Sequence, residues 1–142
     1  MSDPTTVSVS AAAPSNSTDA VLKHSDNTEV KLRFRTRVLK GDSIPVGPGK
    51  IALLLAVDEC RSISAAAKLQ GMSYRRAWLL IDEMNRTLKA PVIATAKGGA
   101  NGGGSILTDF GQELVDLYTH IETRAHEACK ADIQRLLSMV AP

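Results

Sequence analysis

Aromatic side chains are scarce in this chain of 142 residues: one Trp, two Tyr and two Phe, set against a hydrophobic content of 44%. That balance suits an aliphatic, helix-rich core in one domain with tails. Cysteine is scarcer still. Cys60 and Cys129 lie far apart, lack partners at metal-ligand spacing and fall in helical patterns, so free thiols and a reducing cytoplasm are expected. No apolar run approaches the length that spans a bilayer, so no membrane segment is expected. The opening residues, MSDPTTVSVSAAAPSNSTD, lack a basic stretch followed by an apolar one and do not read as a secretory signal. Histidine forms no catalytic constellation: His24 stands in the polar N-terminal stretch, and His120 and His126 are six apart, off a shared helix face. Cys129 follows His126 by three, a spacing that fits one turn of an amphipathic helix as well as a metal pair. No enzyme, metal or cofactor is expected.

What the chain does have is unevenly placed charge. The net charge is only +2, yet residues 29–108 hold thirteen Lys and Arg against six Asp and Glu. Residues 1–28 hold Lys23 against Asp3, Asp19 and Asp26, and residues 109–142 hold three basic against six acidic side chains. A basic middle between acidic ends is the footprint of a nucleic-acid-binding core joined to an interaction element. Residues 1–28 are rich in Ser, Thr, Ala, Asn and Pro without amphipathic period, and read as a disordered tail.

Residues 62–88, SISAAAKLQGMSYRRAWLLIDEMNRTL, organise the rest. Ser62 or Ser64 opens a short helix carrying Ala65, Ala66, Ala67 and Leu69, in which the small side chains of the three alanines permit close helix crossing. Gly71 breaks it, with Met72 tucked under the turn. Ser73 caps a second helix on which Ala77, Leu80, Ile81, Met84 and Leu88 share a buried face. The pattern is a helix-turn-helix, whose second helix enters the DNA major groove N-terminus first. Arg75 and Arg76 at that tip suit guanine acceptors or phosphates, and Ser73 suits a phosphate oxygen. A plain helical hairpin with solvated arginines is the alternative.

Upstream, residues 30–38 alternate apolar and basic and predict a strand, with Lys31, Arg33, Arg35 and Arg37 on one face. That stripe reads as solvated in preference to phosphate-facing. Residues 40–43 predict a turn and 44–47 an extended connector. Residues 48–61 predict a first helix, with IALLLAV at the centre of the core. Downstream, residues 92–96 and 105–107 predict two short strands joined by a glycine-rich loop over 97–104, a wing with Lys97 at its base. A nucleotide-binding loop is disfavoured, because Gly104 rather than Lys precedes Ser105 and the loop returns to a strand. Thr108 caps a long helix over 109–142, whose apolar stripe includes Leu114, Leu117, Tyr118, Ile121, Ala125, Ala128, Ile133 and Leu136. A small winged core cannot cover so long a stripe, so a second copy of the helix is the expected partner, with folding back on its own core as the alternative.

Together, Ser62-Ile63-Ser64-Ala65-Ala66-Ala67-Lys68-Leu69, Met72-Ser73-Tyr74-Arg75-Arg76-Ala77-Trp78 and Ile81-Asp82-Glu83-Met84-Asn85 resemble the DNA-binding half of the ModE family of molybdenum-responsive transcription regulators. The glycine-rich wing, Thr108 and Gly111 are similar to that family too, and the first part of the helix-turn-helix is distantly similar to the LysR-type group. The resemblance covers about residues 29–138. It implies a mainly α fold with a small β wing, a winged helix-turn-helix with a long C-terminal dimerisation helix, acting on a palindromic promoter site as a homodimer. It carries DNA contacts to Ser64, Ser73, Tyr74, Arg75, Arg76 and Trp78, with Lys97 in the wing; Lys68 joins them as a further basic residue. Trp78 lies at the edge of the buried stripe, where it either packs under the wing or meets the DNA backbone. Full-length members continue into an oxyanion-binding module that senses molybdate, whereas this chain stops at Pro142. The expectation is therefore no cofactor on these residues: either the chain is a stand-alone DNA-binding form, for which a separate sensor protein is a candidate partner, or the ligand domain has been removed from it.

The expected organisation is a tail over 1–28, a DNA-binding domain over 29–108 and a dimerisation helix over 109–142. The expected function is sequence-specific regulation of transcription through double-stranded DNA. A protein-interaction adaptor on a winged-helix scaffold is the competing expectation. Clustered positive charge at the tip separates the two, since an adaptor has no need of it.

Overall fold

The computed structural model describes residues 28–99 and 102–142, with the side chains of 96–103 left aside. The expectation for the tail therefore lies almost wholly outside the described residues. The chain divides into two units, one of them Arg35–Glu122.

That unit opens with a hairpin, β1 (Val38–Lys40) and β2 (Ser43–Val46), paired antiparallel with Val38 opposite Val46 and Lys40 opposite Ser43. Gly41 at the bend has φ +59, and Ser43 Oγ donates to the Lys40 carbonyl. The expected strand over 30–38 is thus corrected: residues 30–37 have no strand, and the expected connector is itself a strand. Alternation alone cannot hold a strand whose backbone groups have no neighbour to pair with.

Helix α1 (Pro48–Cys60) begins with Pro at its first position and supplies the centre of the core through Ile51, Leu53, Leu54, Ala56 and Val57. Lys50 is buried on the same helix. Its ammonium donates to the Ile44 carbonyl of β2 and pairs with Glu83 at 3.1 Å. Arg61 ends α1 in the left-handed conformation at φ 58, unusual for a residue with a Cβ.

Helix α2 (Ile63–Leu69) follows at once. Ser62 is its cap, accepting from the Ala65 N–H. Ala66 and Ala67 are buried where helices approach, but Ala65 is exposed, which corrects the expectation for that alanine; Leu69 is exposed as well. The helix ends in a Schellman turn: Met72 N–H bonds the Ala67 carbonyl, and Gly71 N–H the Lys68 carbonyl. Gly71 takes φ +69, which a side chain would strain. Met72 then packs against the core.

Helix α3 (Tyr74–Thr87) buries Ala77, Ile81 and Met84, with Leu80 and Leu88 half-covered beside them. After it, β3 (Ile93–Gly99) and β4 (Gly102–Leu107) pair antiparallel from Ile93 opposite Leu107 outward to Gly99 opposite Gly102. Most of the expected glycine loop is therefore strand. Glycine lowers strand propensity, but the ladder holds from Ile93 to Ala96 and closes again at Gly99 opposite Gly102, with an irregularity between.

Helix α4 (Asp109–Ala128) is capped by Thr108, whose hydroxyl accepts from the Gly111 N–H and donates to the Pro91 carbonyl. Val115 is buried, and Phe110, Leu114 and Tyr118 pack on the core. Gly111 is compulsory, because a Cβ there would lie 2.2 Å from the Val92 carbonyl oxygen.

The second unit takes the described residues up to Phe34 with Thr123–Pro142. Here Phe34 meets His126 edge to face at 4.6 Å between ring centres. The single long helix expected over 109–142 is corrected: α4 stops at Ala128, and α5 (Lys130–Ser138) begins after Cys129. No helix among the described residues is long and apolar enough to cross a membrane.

Candidate nucleic-acid interface

The tip of α3 is built by its cap. Ser73 Oγ accepts from the Arg76 N–H at 3.0 Å, which fixes the direction in which the first turn leaves the turn residues. Ser73, Tyr74, Arg75 and Arg76 are all exposed. Successive helical residues turn by roughly 100°, so the buried line through Ala77, Ile81 and Met84 sets where each of them points. Arg75 falls nearly opposite that line. Arg76 lies on one flank, and Tyr74 with Trp78 on the other. The two arginines therefore address different surfaces rather than forming one double charge.

Charge along the exposed face favours the tip. One turn from the C-terminus, Arg86 Nε donates to Asp82 at 2.9 Å, which offsets that cation. Glu83 is engaged by Lys50. Among the described residues no acidic side chain pairs with Arg75, Arg76 or Lys68. Ser64 and Lys68 on α2 are exposed as well. The positive N-terminal end of the α3 dipole adds to the same field.

Trp78 is 43% exposed, and its indole N–H donates to the Tyr74 hydroxyl at 2.6 Å. The ring thus does not disappear beneath the wing, and its N–H is not free for a phosphate. Lys97 lies on β3, but its side chain is outside the described residues.

Backbone contacts hold wing and helices together. The Arg61 carbonyl accepts from the Ser105 N–H at 3.1 Å, and a Cβ on Gly104 would meet that same oxygen at 2.8 Å. Asn85 on α3 accepts from the Val92 N–H at 2.9 Å. The glycine at 104 thus admits a close backbone approach within the protein itself.

Arg35 and Arg37 stand elsewhere. They are near enough to the Tyr118 hydroxyl to oppose its raised pKa, and that hydroxyl donates to the Thr36 carbonyl at 2.8 Å. That end of the basic stripe therefore lies near Tyr118 of α4. Of the residues expected at a dimer face, Leu114 and Tyr118 pack on the chain's own core, whereas Leu117, Ile121 and Leu136 are more than half exposed. Ala128 is exposed, and Ala125 and Ile133 are half-buried. Sequence reasoning missed Lys50 and Glu83: a lysine in a helix reads as solvated unless its partner is known. Among the described residues no group of three or more His, Cys, Asp or Glu is placed to hold a metal ion.

No family profile matches the chain. Individual relatives do. The molybdenum-pterin-binding protein MopB of Rhodobacter capsulatus is 44% identical over 85 residues, 60% of this chain and 32% of that protein. The transcriptional regulator ModE of Yersinia pestis is 39% identical over 97 residues, 66% of this chain and 37% of the relative. The DNA-binding transcriptional dual regulator ModE of Escherichia coli K12 is 39% identical over 88 residues, 60% and 34% of the two chains. The chain spans about a third of the length of these curated relatives. Over the stretch it shares with them, this chain is similar to these ModE regulators and to MopB.

Proposed function

We propose that this protein regulates transcription by binding a specific double-stranded DNA site as a homodimer. The observation that carries the reading is the exposed first turn of α3, where Ser73, Tyr74, Arg75 and Arg76 have no acidic partner among the described residues at a helix N-terminus. In this reading Arg75 reaches base edges in the major groove. Arg76, Ser73, Ser64 and Lys68 hold phosphates on either side. The wing follows the adjacent backbone with Lys97, and Trp78 supports the tip from its flank. Residues 29–108 form the DNA-binding domain and residues 109–142 the dimerisation element, with Leu117, Ile121 and Leu136 meeting a second copy. Two-fold symmetry would make the site a palindrome, with recognition helices spaced by about 34–36 Å. The names of the relatives support a regulator, and the short span of the match leaves their molybdenum chemistry with those proteins.

The test is a gel-shift titration against promoter fragments and random duplex across a salt series. A preferred fragment, bound more weakly as salt rises, is the expected result. Equal affinity for every duplex would remove the sequence-specific reading. An intact dimer that binds no DNA at low salt would point to an adaptor instead.

A further inference from the structure

Tyr74 and Trp78 stand one turn apart on the flank of the α3 tip, and the indole Nε1–H donates to the Tyr74 oxygen at 2.6 Å. Both rings stay in water to a large degree, Tyr74 at 53% and Trp78 at 43% exposure. An indole has a donor and no acceptor, so this bond cannot run the other way. A phenolic oxygen accepts best along one in-plane direction, since its other lone pair is drawn into the ring. The indole N–H already bonds that oxygen at 2.6 Å, which leaves it a poorer acceptor for a second donor. What Tyr74 still offers is its O–H, made a stronger donor by the bond its oxygen accepts.

We propose that Trp78 fixes Tyr74 as a hydrogen-bond donor, so that the α3 tip selects a base-edge acceptor where Tyr74 meets the groove. The inference rests on the DNA-binding reading above and adds a specificity rule to it. In the major groove guanine offers O6 and N7, adenine N7 and thymine O4 as acceptors, whereas cytosine presents its N4 amino donor. A tyrosine with an open oxygen can accept from that amino group. One whose oxygen is occupied cannot, and cytosine is rejected on the strand that Tyr74 faces. Trp78 acts here as a positioning residue, through Tyr74 rather than on the DNA.

The experiment uses the full chain, with Trp78→Phe, Tyr74→Phe and the double variant. A duplex selected from a random pool, and each of its single base-pair substitutions, is titrated by fluorescence anisotropy. The readout is the affinity for the cytosine-bearing duplex divided by that for the parent, a ratio that cancels any uniform loss. Wild type is expected to reject cytosine at one position per half-site by roughly three- to tenfold, the worth of one hydrogen bond. Either single variant should erase most of that ratio, and the double variant should go no further. A ratio left intact by Trp78→Phe overturns the proposal, as does a loss equal on every duplex. If wild type prefers no duplex at all, the DNA-binding reading falls along with the inference. A second measurement needs no DNA: Trp78 is the chain's one tryptophan and gives one indole N–H proton resonance. Tyr74→Phe should move that resonance upfield and quicken its exchange with water. An unmoved resonance overturns the proposal.

Discussion

Arg75 and Arg76 are neighbours in sequence but not in what they can reach. The first points away from the buried stripe, and the second lies on its flank, because roughly 100° separates them around the helix. Arg75→Ala is expected to lose about 1–3 kcal/mol at one base pair and to relax preference there. Arg76→Ala should weaken specific and random duplex alike and shallow the salt dependence by about one counterion per subunit. Anisotropy titrations of both variants against the selected site and a scrambled one separate the two outcomes. The buried Lys50 makes a different kind of prediction. Glu83→Ala leaves its ammonium with only the Ile44 carbonyl, and should cost about 1–3 kcal/mol of folding stability. Lys50→Met removes the buried charge and keeps an apolar stem, so its urea midpoint should fall by less. This ion pair was illegible in the sequence. Both residues sit where a helix pattern allows a solvated side chain, and only the packing of α1 against α3 brings them within 3.1 Å.

At the scale of elements, the parts that could be read were those whose causes are local. Ser62 and Ser73 cap helices through side-chain bonds to residues three ahead, Gly71 takes the left-handed turn, and the spacing of Ala77, Ile81 and Met84 fixes one face. Those signals lie within a few residues of each other, so the helix-turn-helix was legible almost to its ends. Strands depend on distant partners and were read less well. Residues 30–37 carry the alternation of a strand without a neighbour to pair with, and β1 has only the short β2 beside it. The glycines of the wing carry a loop composition, and only pairing with the opposite strand from Ile93 to Gly99 makes strand of them. The break at Cys129 carries no proline or glycine to announce it. Gly111 shows how a single position can join elements. Gly111→Ala would push a methyl group into the Val92 carbonyl, and should destabilise the fold by about 1–3 kcal/mol in a thermal melt, against the usual preference for Ala over Gly in a helix.

For the molecule as a whole, two predictions concern behaviour in solution. Burial, followed by the nearby Glu122 carboxylate, raises the Tyr118 pKa above 10, with Arg35 and Arg37 opposing the rise. The folded state thus holds this proton more tightly than the unfolded chain does. The resulting stability is present in full below pH 10 and drains away as pH climbs through the folded value. Urea midpoints taken over that range should decline, and Tyr118→Phe should flatten the decline, since its neutral hydroxyl is what bonds the Thr36 carbonyl. Assembly gives the second. Ile121 is 56% exposed on α4, and Ile121→Glu should shift sedimentation from dimer towards monomer while leaving the thermal transition of the monomer in place. A wild-type chain sedimenting as a monomer at every concentration would dissolve the proposed symmetry.

Val92 lies at a crossroads between Asn85 near the end of α3 and the opening turn of α4. Its N–H is given to the first and its carbonyl to Thr108, with Gly111 flush against that same oxygen. The end of α3 and the first turn of α4 are therefore tied through the two peptide units that meet at the Val92 Cα.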